Sequence, residues 1–181
     1  MPRNVEIKAR IDDVEGVLVR ARRLSGCAPT VLEQDDTFFN CPNGRLKLRV
    51  LSDCMGELIV YQRSDIAGPK ESSYVVVQTA TPGLLRVALA EALGVRGVVR
   101  KRRLLFVVGQ TRVHVDDVEG LGWFIELEVV LSDDQDASAG AAEAHRLMAE
   151  LGIQEHHLVR GAYLDLLEKG EDVTSSRSPA D

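Results

Sequence analysis

From Asn4 to Arg10 the apolar residues Val5, Ile7 and Ala9 alternate with Glu6, Lys8 and Arg10. A side-chain period of two is that of a strand, with successive residues on opposite faces. The alternation returns at Arg45, Lys47 and Arg49 against Leu46, Leu48 and Val50, and at Arg112, His114 and Asp116 against Val113 and Val115. It returns again at Glu126 and Glu128 against Ile125, Leu127 and Val129. Either these charged faces scatter over an outer surface or they converge on one enclosed site.

Strand-like runs fall near residues 3–11, 30–40, 44–52, 57–64, 72–80, 97–108, 110–118 and 123–131, separated by turn signals such as Pro42-Asn43-Gly44 and Gly68-Pro69. Asp12-Asp13 caps a helical segment that Gly26 can stop, and a second helix runs from Pro82 to Leu93 before Gly94. After Asp134 the pattern is helical from Ala141 to Leu151 and from Glu155 to Leu167, with Gly152 between. The order is doubled: strand, helix and three strands, twice over. Eight consecutive antiparallel strands can close into a barrel with no exposed edge and with an interior for side chains or a ligand. The expected fold class is therefore α+β, a closed eight-stranded antiparallel β-barrel with helices packed outside. A chain of 181 residues fits one domain, taken as residues 1–169, with a Ser/Pro/Asp-rich tail at 170–181 expected to be disordered.

If the barrel closes, its outer face meets helices and is apolar, which sends Glu6, Lys8 and Arg10 inward from the first strand. Lys47 and Arg49 travel together, as do Arg112, His114 and Asp116, and Glu126 and Glu128. In "VVRKRRLLF" either Lys101 and Arg103 or Arg100 and Arg102 face inward, and on the fourth strand either Arg63 or Gln62 does. Unpaired charges out of water cost several kcal/mol each, about 2–7 for polar groups and more for ions. A polyphosphate with a divalent metal would relieve this crowding. Arg and Lys donate to phosphate oxygens, and carboxylates hold Mg²⁺ or Mn²⁺, hard cations that take oxygen ligands.

Composition narrows the partners. Lys and Arg total 22 against 28 Asp and Glu, a formal net charge of −6, which argues against a broad basic surface for nucleic acid. Apolar runs such as Tyr74–Val77 and Leu104–Val108 are far shorter than the ~20 residues of a membrane helix. The start of the chain leads straight into a charged strand without a signal-peptide segment, and three cysteines without CxxC spacing suit reduced thiols. The expectation is a cytoplasmic protein, monomer or homodimer, with a small phosphorylated substrate and neither nucleic acid nor membrane as partner.

The segments "RNVEIKAR", "EQDDTFFNCPNGRLKLR", "VVRKRR" and "TRVHVDDVEGLGWFIELEVVL" together resemble the CYTH family, the triphosphate tunnel metalloenzymes that include class IV adenylyl cyclases, thiamine triphosphatases and inorganic triphosphatases. "AYLDLL" is similar to that family's closing helix, and the whole resemblance spans roughly residues 3–168. It implies a metal-dependent enzyme acting on a triphosphate or nucleoside triphosphate inside a charged tunnel, either adenylyl cyclase-like or a triphosphatase. A sensor that binds polyphosphate or nucleotide without turnover is the alternative. The implied metal ligands are Glu6, Asp116, Glu126 and Glu128, and the implied phosphate-binding residues are Lys8, Arg10, Lys47, Arg49, Arg63, Lys101, Arg103 and Arg112. Lys8, Arg112 and His114 are the catalytic candidates, His114 as a proton carrier or as a histidine bonded to a neighbouring carboxylate. The family signature ExExK departs here, because Asn4 stands where the first Glu would be; weaker metal binding, or a single metal, is the expected consequence. His145, His156 and His157 read as surface or capping residues, and Asp117 as a rim residue. Tyr61, Tyr74 and Trp123 read as packing residues, and Asp35 and Asp36 as the end of a turn.

Overall fold

A computed structural model describes residues 3–175. The strands are β1 (Arg3–Arg10), β2 (Thr30–Phe39), β3 (Arg45–Ser52), β4 (Met55–Arg63), β5 (Lys70–Thr79), β6 (Val95–Val108), β7 (Thr111–Val118) and β8 (Gly122–Leu131). Helix α1 (Val14–Ser25) follows β1, α2 (Pro82–Leu93) follows β5, and α3 (Ala137–Leu151) and α4 (Tyr163–Ser175) close the order. The strands form a closed barrel in the order β1-β5-β4-β3-β2-β6-β7-β8, every pair antiparallel and β8 returning to β1. Exchanging the two halves, β1–β4 for β5–β8, leaves this cyclic order unchanged. The doubled pattern in the sequence is thus a pseudo-twofold in the barrel.

The apolar parity of β1 faces outward as expected, with Val5, Ile7 and Ala9 buried beneath α1 and α3 alongside Leu127, Val129, Leu147 and Leu151. Asp13 caps α1 by accepting from the Gly16 N–H, and Gly26 ends the helix at φ 70°. In α3 the Asp136 carboxylate accepts from the Ser138 and Ala139 N–H groups, so the helix begins a turn earlier than the apolar periodicity from Ala141 implies. The α3 backbone lies close to the barrel at Gly140, where a Cβ would stand 2.7 Å from Val5 Cγ2 and 2.8 Å from Leu131 Cδ2.

The helix expected over 155–167 is broken. A 3-10 turn at Glu155–His157 gives way to an extended crossing in which the Val159 N–H donates to the Lys8 carbonyl and Leu158 bridges to Ala9. Gly161 then takes φ 80°, and the Asp165 carboxylate accepts from the Ala162 N–H to start α4. Backbone pairing and a left-handed glycine override the helical periodicity. α4 continues to Ser175, beyond the Gly170 expected to begin a tail; the rest of that expected tail, 176–181, lies outside the described residues.

Candidate functional site

The inward faces enclose a cavity of about 340 Å³ lined by Asn4, Glu6, Lys8, Lys47, Arg49, Arg63, Lys101, Arg103, Arg112, Glu126 and Glu128, with Asp36, Glu57, Tyr61, Tyr74 and Tyr163 among the remaining walls. Most of the charged residues expected in the lumen therefore meet there. Register settles the open parities: Lys101 and Arg103 point inward, while Arg100 and Arg102 pair outside with Asp35 at 3.1 Å and Glu33 at 3.7 Å. Arg63 lines the cavity, bonded to Glu6, and Gln62 does not.

Arg10 is brought elsewhere. It is exposed beyond the cavity, its guanidinium 4.8 Å from the Phe124 ring and donating to the Leu121 carbonyl. Past Lys8 the barrel is already sealed, because Tyr163 and Leu164 of α4 pack with Phe38, Val99, Val118 and Phe124 across that end. The cavity thus has an apolar floor on the α4 side. Arg112, with 47% of its side chain exposed, marks the opposite, open side.

Two triads of one design hold the cations. On one wall Asp36 of β2 accepts from Lys47 at 2.8 Å and from Arg49 at 2.8 and 2.9 Å. On the other, Asp116 of β7 accepts from Lys101 at 2.9 Å and from Arg103 at 2.7 and 2.6 Å, and also from the Tyr163 hydroxyl at 3.0 Å. Each Lys-x-Arg pair is one strand's inward parity, and each Asp sits on a neighbouring strand. Burial alone would raise both aspartates, but their cationic partners hold them well below the usual carboxylate range. The Asp36 triad keeps one unit of positive charge after its internal pairing, whereas that of the Asp116 triad is met by Glu126, which accepts from Arg103 and lies 3.9 Å from Lys101. Asp116 is fully buried and absent from the cavity lining, its oxygens committed to these donors, so the structure sets it behind the cations and apart from the other expected metal ligands.

Burial pulls the ammonium groups of Lys8 and Lys47 down to about 8, partly countered by Glu126 for Lys8 and by Asp36 for Lys47. Glu126, which burial would raise, is held well below its ordinary value by Lys8, Lys101 and Arg103. Glu128 goes the other way: burial and the adjacent carboxylates of Glu126 and Glu6 push it up, with Arg112 no closer than 3.6 Å. His114 is driven well below its ordinary value, first by burial and then by Arg103, so its ring is neutral. Its Nδ1 has no hydrogen-bond partner and lies 3.7 Å from Glu128 Oε1. His114 is not part of the cavity wall; it stands behind the glutamates.

A CYTH domain model matches residues 2–163. The chain belongs to the CYTH family. Among its relatives, adenylate cyclase CyaB of Aeromonas hydrophila is 25% identical over 189 residues, covering 97% of this chain and 94% of that one. A Methanocaldococcus jannaschii protein that carries an adenylate cyclase name is 27% identical over 170 residues, covering 90% and 97%. The solved Pyrococcus horikoshii protein PH1012 has a TM-score of 0.76 at 21% identity, with 90% of this chain and 98% of that one covered. A Hippeastrum protein described as adenylyl cyclase-like, with a dominant triphosphatase activity, has a TM-score of 0.65 at 15% identity and coverage of 92% and 96%. At such identities the solved structures bear on the fold of this CYTH protein alone.

Among the described residues, one group at the wall of the CYTH cavity and behind it is suited to a cation. Ligand atoms of His114, Glu126 and Glu128 lie within 4.8 Å of one another, and Glu6 pairs with Glu128 across β1 and β8. Glu126 and Glu6 have cationic partners, but the raised Glu128, the partnerless His114 Nδ1 and the buried, partnerless Asn4 Oδ1 are groups that a cation would satisfy. These donors fit a divalent ion such as Mg²⁺ or Mn²⁺, the nitrogen favouring the latter.

Sequence reasoning missed Asp36, Tyr163 and the wall position of Tyr61 and Tyr74. Asp36 carried a signal, since aspartate is depleted in strand interiors and one placed there needs a partner. No comparable signal marked Tyr163, whose approach to the barrel depends on the break at Gly161. No described helix is long and apolar enough to cross a membrane.

Proposed function

We propose that this chain is a metal-dependent enzyme that binds a triphosphate, free or as part of a nucleotide, and promotes attack at one of its phosphorus atoms. The observation that carries the reading is the coexistence, in one cavity, of Lys-x-Arg pairs on two walls and a carboxylate cluster in which Glu128 is raised for want of a close cation. A triphosphate complements the first and a divalent cation the second.

Lys8, Lys47, Lys101, Arg49, Arg63, Arg103 and Arg112 bind and orient the phosphate oxygens and stabilise the charge that moves to the leaving group. The Lys8 and Lys101 ammonium groups lie 3.6 and 4.8 Å from the Tyr163 ring, and that of Lys47 lies 5.6 Å from the Phe38 ring. The arginines present planar donors. Asp36 and Asp116 position these cations. Glu6, Glu126 and Glu128, joined by His114, would hold Mg²⁺ or Mn²⁺. When bound, such an ion would neutralise phosphate charge. A neutral His114 behind the glutamates suits this holding role better than carrying protons to substrate.

Water attacking the terminal phosphorus makes a triphosphatase; a ribose 3′-hydroxyl attacking the α-phosphorus makes a cyclase that releases pyrophosphate. Names within the fold do not choose, since the Hippeastrum protein carries a cyclase name and a dominant triphosphatase activity. The test is incubation with Mg²⁺ or Mn²⁺ and, separately, tripolyphosphate, ATP and thiamine triphosphate, followed by product identification. Orthophosphate release defines a triphosphatase and cyclic AMP a cyclase. Saturable binding with no product from any of the three overturns the enzyme reading in favour of a sensor.

A further inference from the structure

We propose that Tyr163, which belongs to the closing helix and not to the barrel, is a positioning residue of the phosphate clamp, its ring serving as the platform that aims the Lys8 and Lys101 ammonium groups into the cavity. This rests on the triphosphate reading of the site and adds to it a residue from outside the tunnel wall.

Tyr163 is 5% exposed and borders the cavity. Lys8 Nζ stands 3.6 Å from its ring centroid and Lys101 Nζ 4.8 Å, both within the ~6 Å over which an aromatic quadrupole attracts a cation. The ring itself is fixed at two points. Its hydroxyl donates to Asp116 Oδ2 at 3.0 Å, and it meets Phe124 edge-on at 5.1 Å and 68°. Two ammonium groups sharing one buried corner repel each other, and burial removes the water that would solvate them. Lys8 has a carboxylate, Glu126 Oε1 at 3.1 Å, and the Gly161 carbonyl at 3.4 Å, while Lys101 has Asp116. Glu126 lies within 4 Å of both ammonium groups, at 3.1 and 3.9 Å, and the Tyr163 ring is the aromatic face that both of them meet. A floor needed only to exclude water would be met by aliphatic packing, which the neighbouring Leu164 already supplies.

The test is calorimetric titration of the full chain with tripolyphosphate at saturating Mg²⁺, for the wild type, Tyr163→Phe, Tyr163→Leu and Tyr163→Met, with melting temperatures recorded for each. Methionine is included because its flexible side chain refills irregular space if leucine prevents folding. Loss of the ring should weaken binding about tenfold, within the ~2–30-fold that cation–π energies span. Tyr163→Phe, which keeps the ring and loses the hydroxyl, should recover affinity to within about threefold of the wild type. Wild-type affinity in a folded Tyr163→Leu or Tyr163→Met protein overturns the inference, as does Tyr163→Phe binding no better than they do. A wild type that does not bind tripolyphosphate overturns the triphosphate reading itself, and this inference with it.

Discussion

Lys8 and Lys47 lose their charge near pH 8, whereas exposed lysines do so only above pH 10, because burial disfavours the charge and Glu126 and Asp36 offset this only in part. Both pKa values fall to about 8, so the free protein loses two clamp charges as pH rises through that value. Tripolyphosphate affinity, and kcat/KM if there is turnover, should decline above pH 8, with Lys47→Met showing a shallower decline from a lower start. Stability moves oppositely. The unfolded chain keeps these protons up to the ordinary 10.5, so between about 8 and 10.5 it binds more protons than the folded chain, and this pair makes stability rise with pH. Titration calorimetry and urea midpoints at pH 7 and 9 measure the two trends, and affinity constant over that interval would exclude the lysines from the clamp. Asn4 supplies a second prediction at this scale. Its buried Oδ1 has no partner at the position where the resemblance places a glutamate, so Asn4→Glu should lower the Mn²⁺ or Mg²⁺ half-saturation about tenfold by adding ligand charge. Without metal the same change adds a carboxylate beside Glu6 and Glu128 and should lower the melting temperature. A half-saturation indistinguishable from wild type would separate Asn4 from the metal site.

At the scale of elements, α3 is held to the barrel by an approach that only glycine permits. A Gly140 side chain would meet Val5 Cγ2 at 2.7 Å and Leu131 Cδ2 at 2.8 Å, both on strands whose backbones are fixed by pairing on either side. Gly140→Ala should therefore destabilise the fold by up to roughly 2 kcal/mol, overpacking of about 1–3 kcal/mol set against the ~1 kcal/mol that alanine gains in a helix. The urea midpoint reads it, and a stabilised variant would show that α3 can lift off at no cost. The barrel itself was legible because a strand's alternation is a local property: every strand was found, and the apolar parity of β1 did pack under helices. Less legible was whatever depends on register between distant strands. Nothing local distinguishes Lys101 and Arg103 from Arg100 and Arg102, because both pairs alternate; the choice is made by Asp116 on β7 inside and Asp35 and Glu33 on β2 outside. The same holds for Asp36, whose role exists only once β3 brings Lys47 and Arg49 to it. Arg10 shares its strand's inward parity yet falls beyond the floor, since parity sets the face and not the depth.

For the whole molecule, a formal charge of −6 encloses a cavity that crowds Lys-x-Arg pairs, Asp36 and Asp116 with Glu6 and Glu126, which have cationic partners, and Glu128, which has no close one. Closing the barrel brings these like charges together, so part of the folding energy is spent on repulsion that a bound anion and cation would remove. A ligand that binds only the folded state adds about 2.7 kcal/mol at a hundred times its Kd, and a chain of this size gains ~2–4 °C per kcal/mol. Tripolyphosphate with Mg²⁺ or Mn²⁺ at such a concentration should raise the melting temperature by about 5–10 °C. Either component alone should do less, because the triphosphate without metal leaves Glu6, Glu126 and Glu128 facing added negative charge, and metal without triphosphate leaves the triads unfilled. A chelator should reverse the joint effect, and sodium chloride should weaken it less than it weakens a surface ion pair, since salt screens a buried site poorly. Differential scanning fluorimetry across these conditions decides the matter: equal shifts for metal alone and for metal with triphosphate would mean that the cationic triads serve the barrel's own packing and bind no phosphate chain.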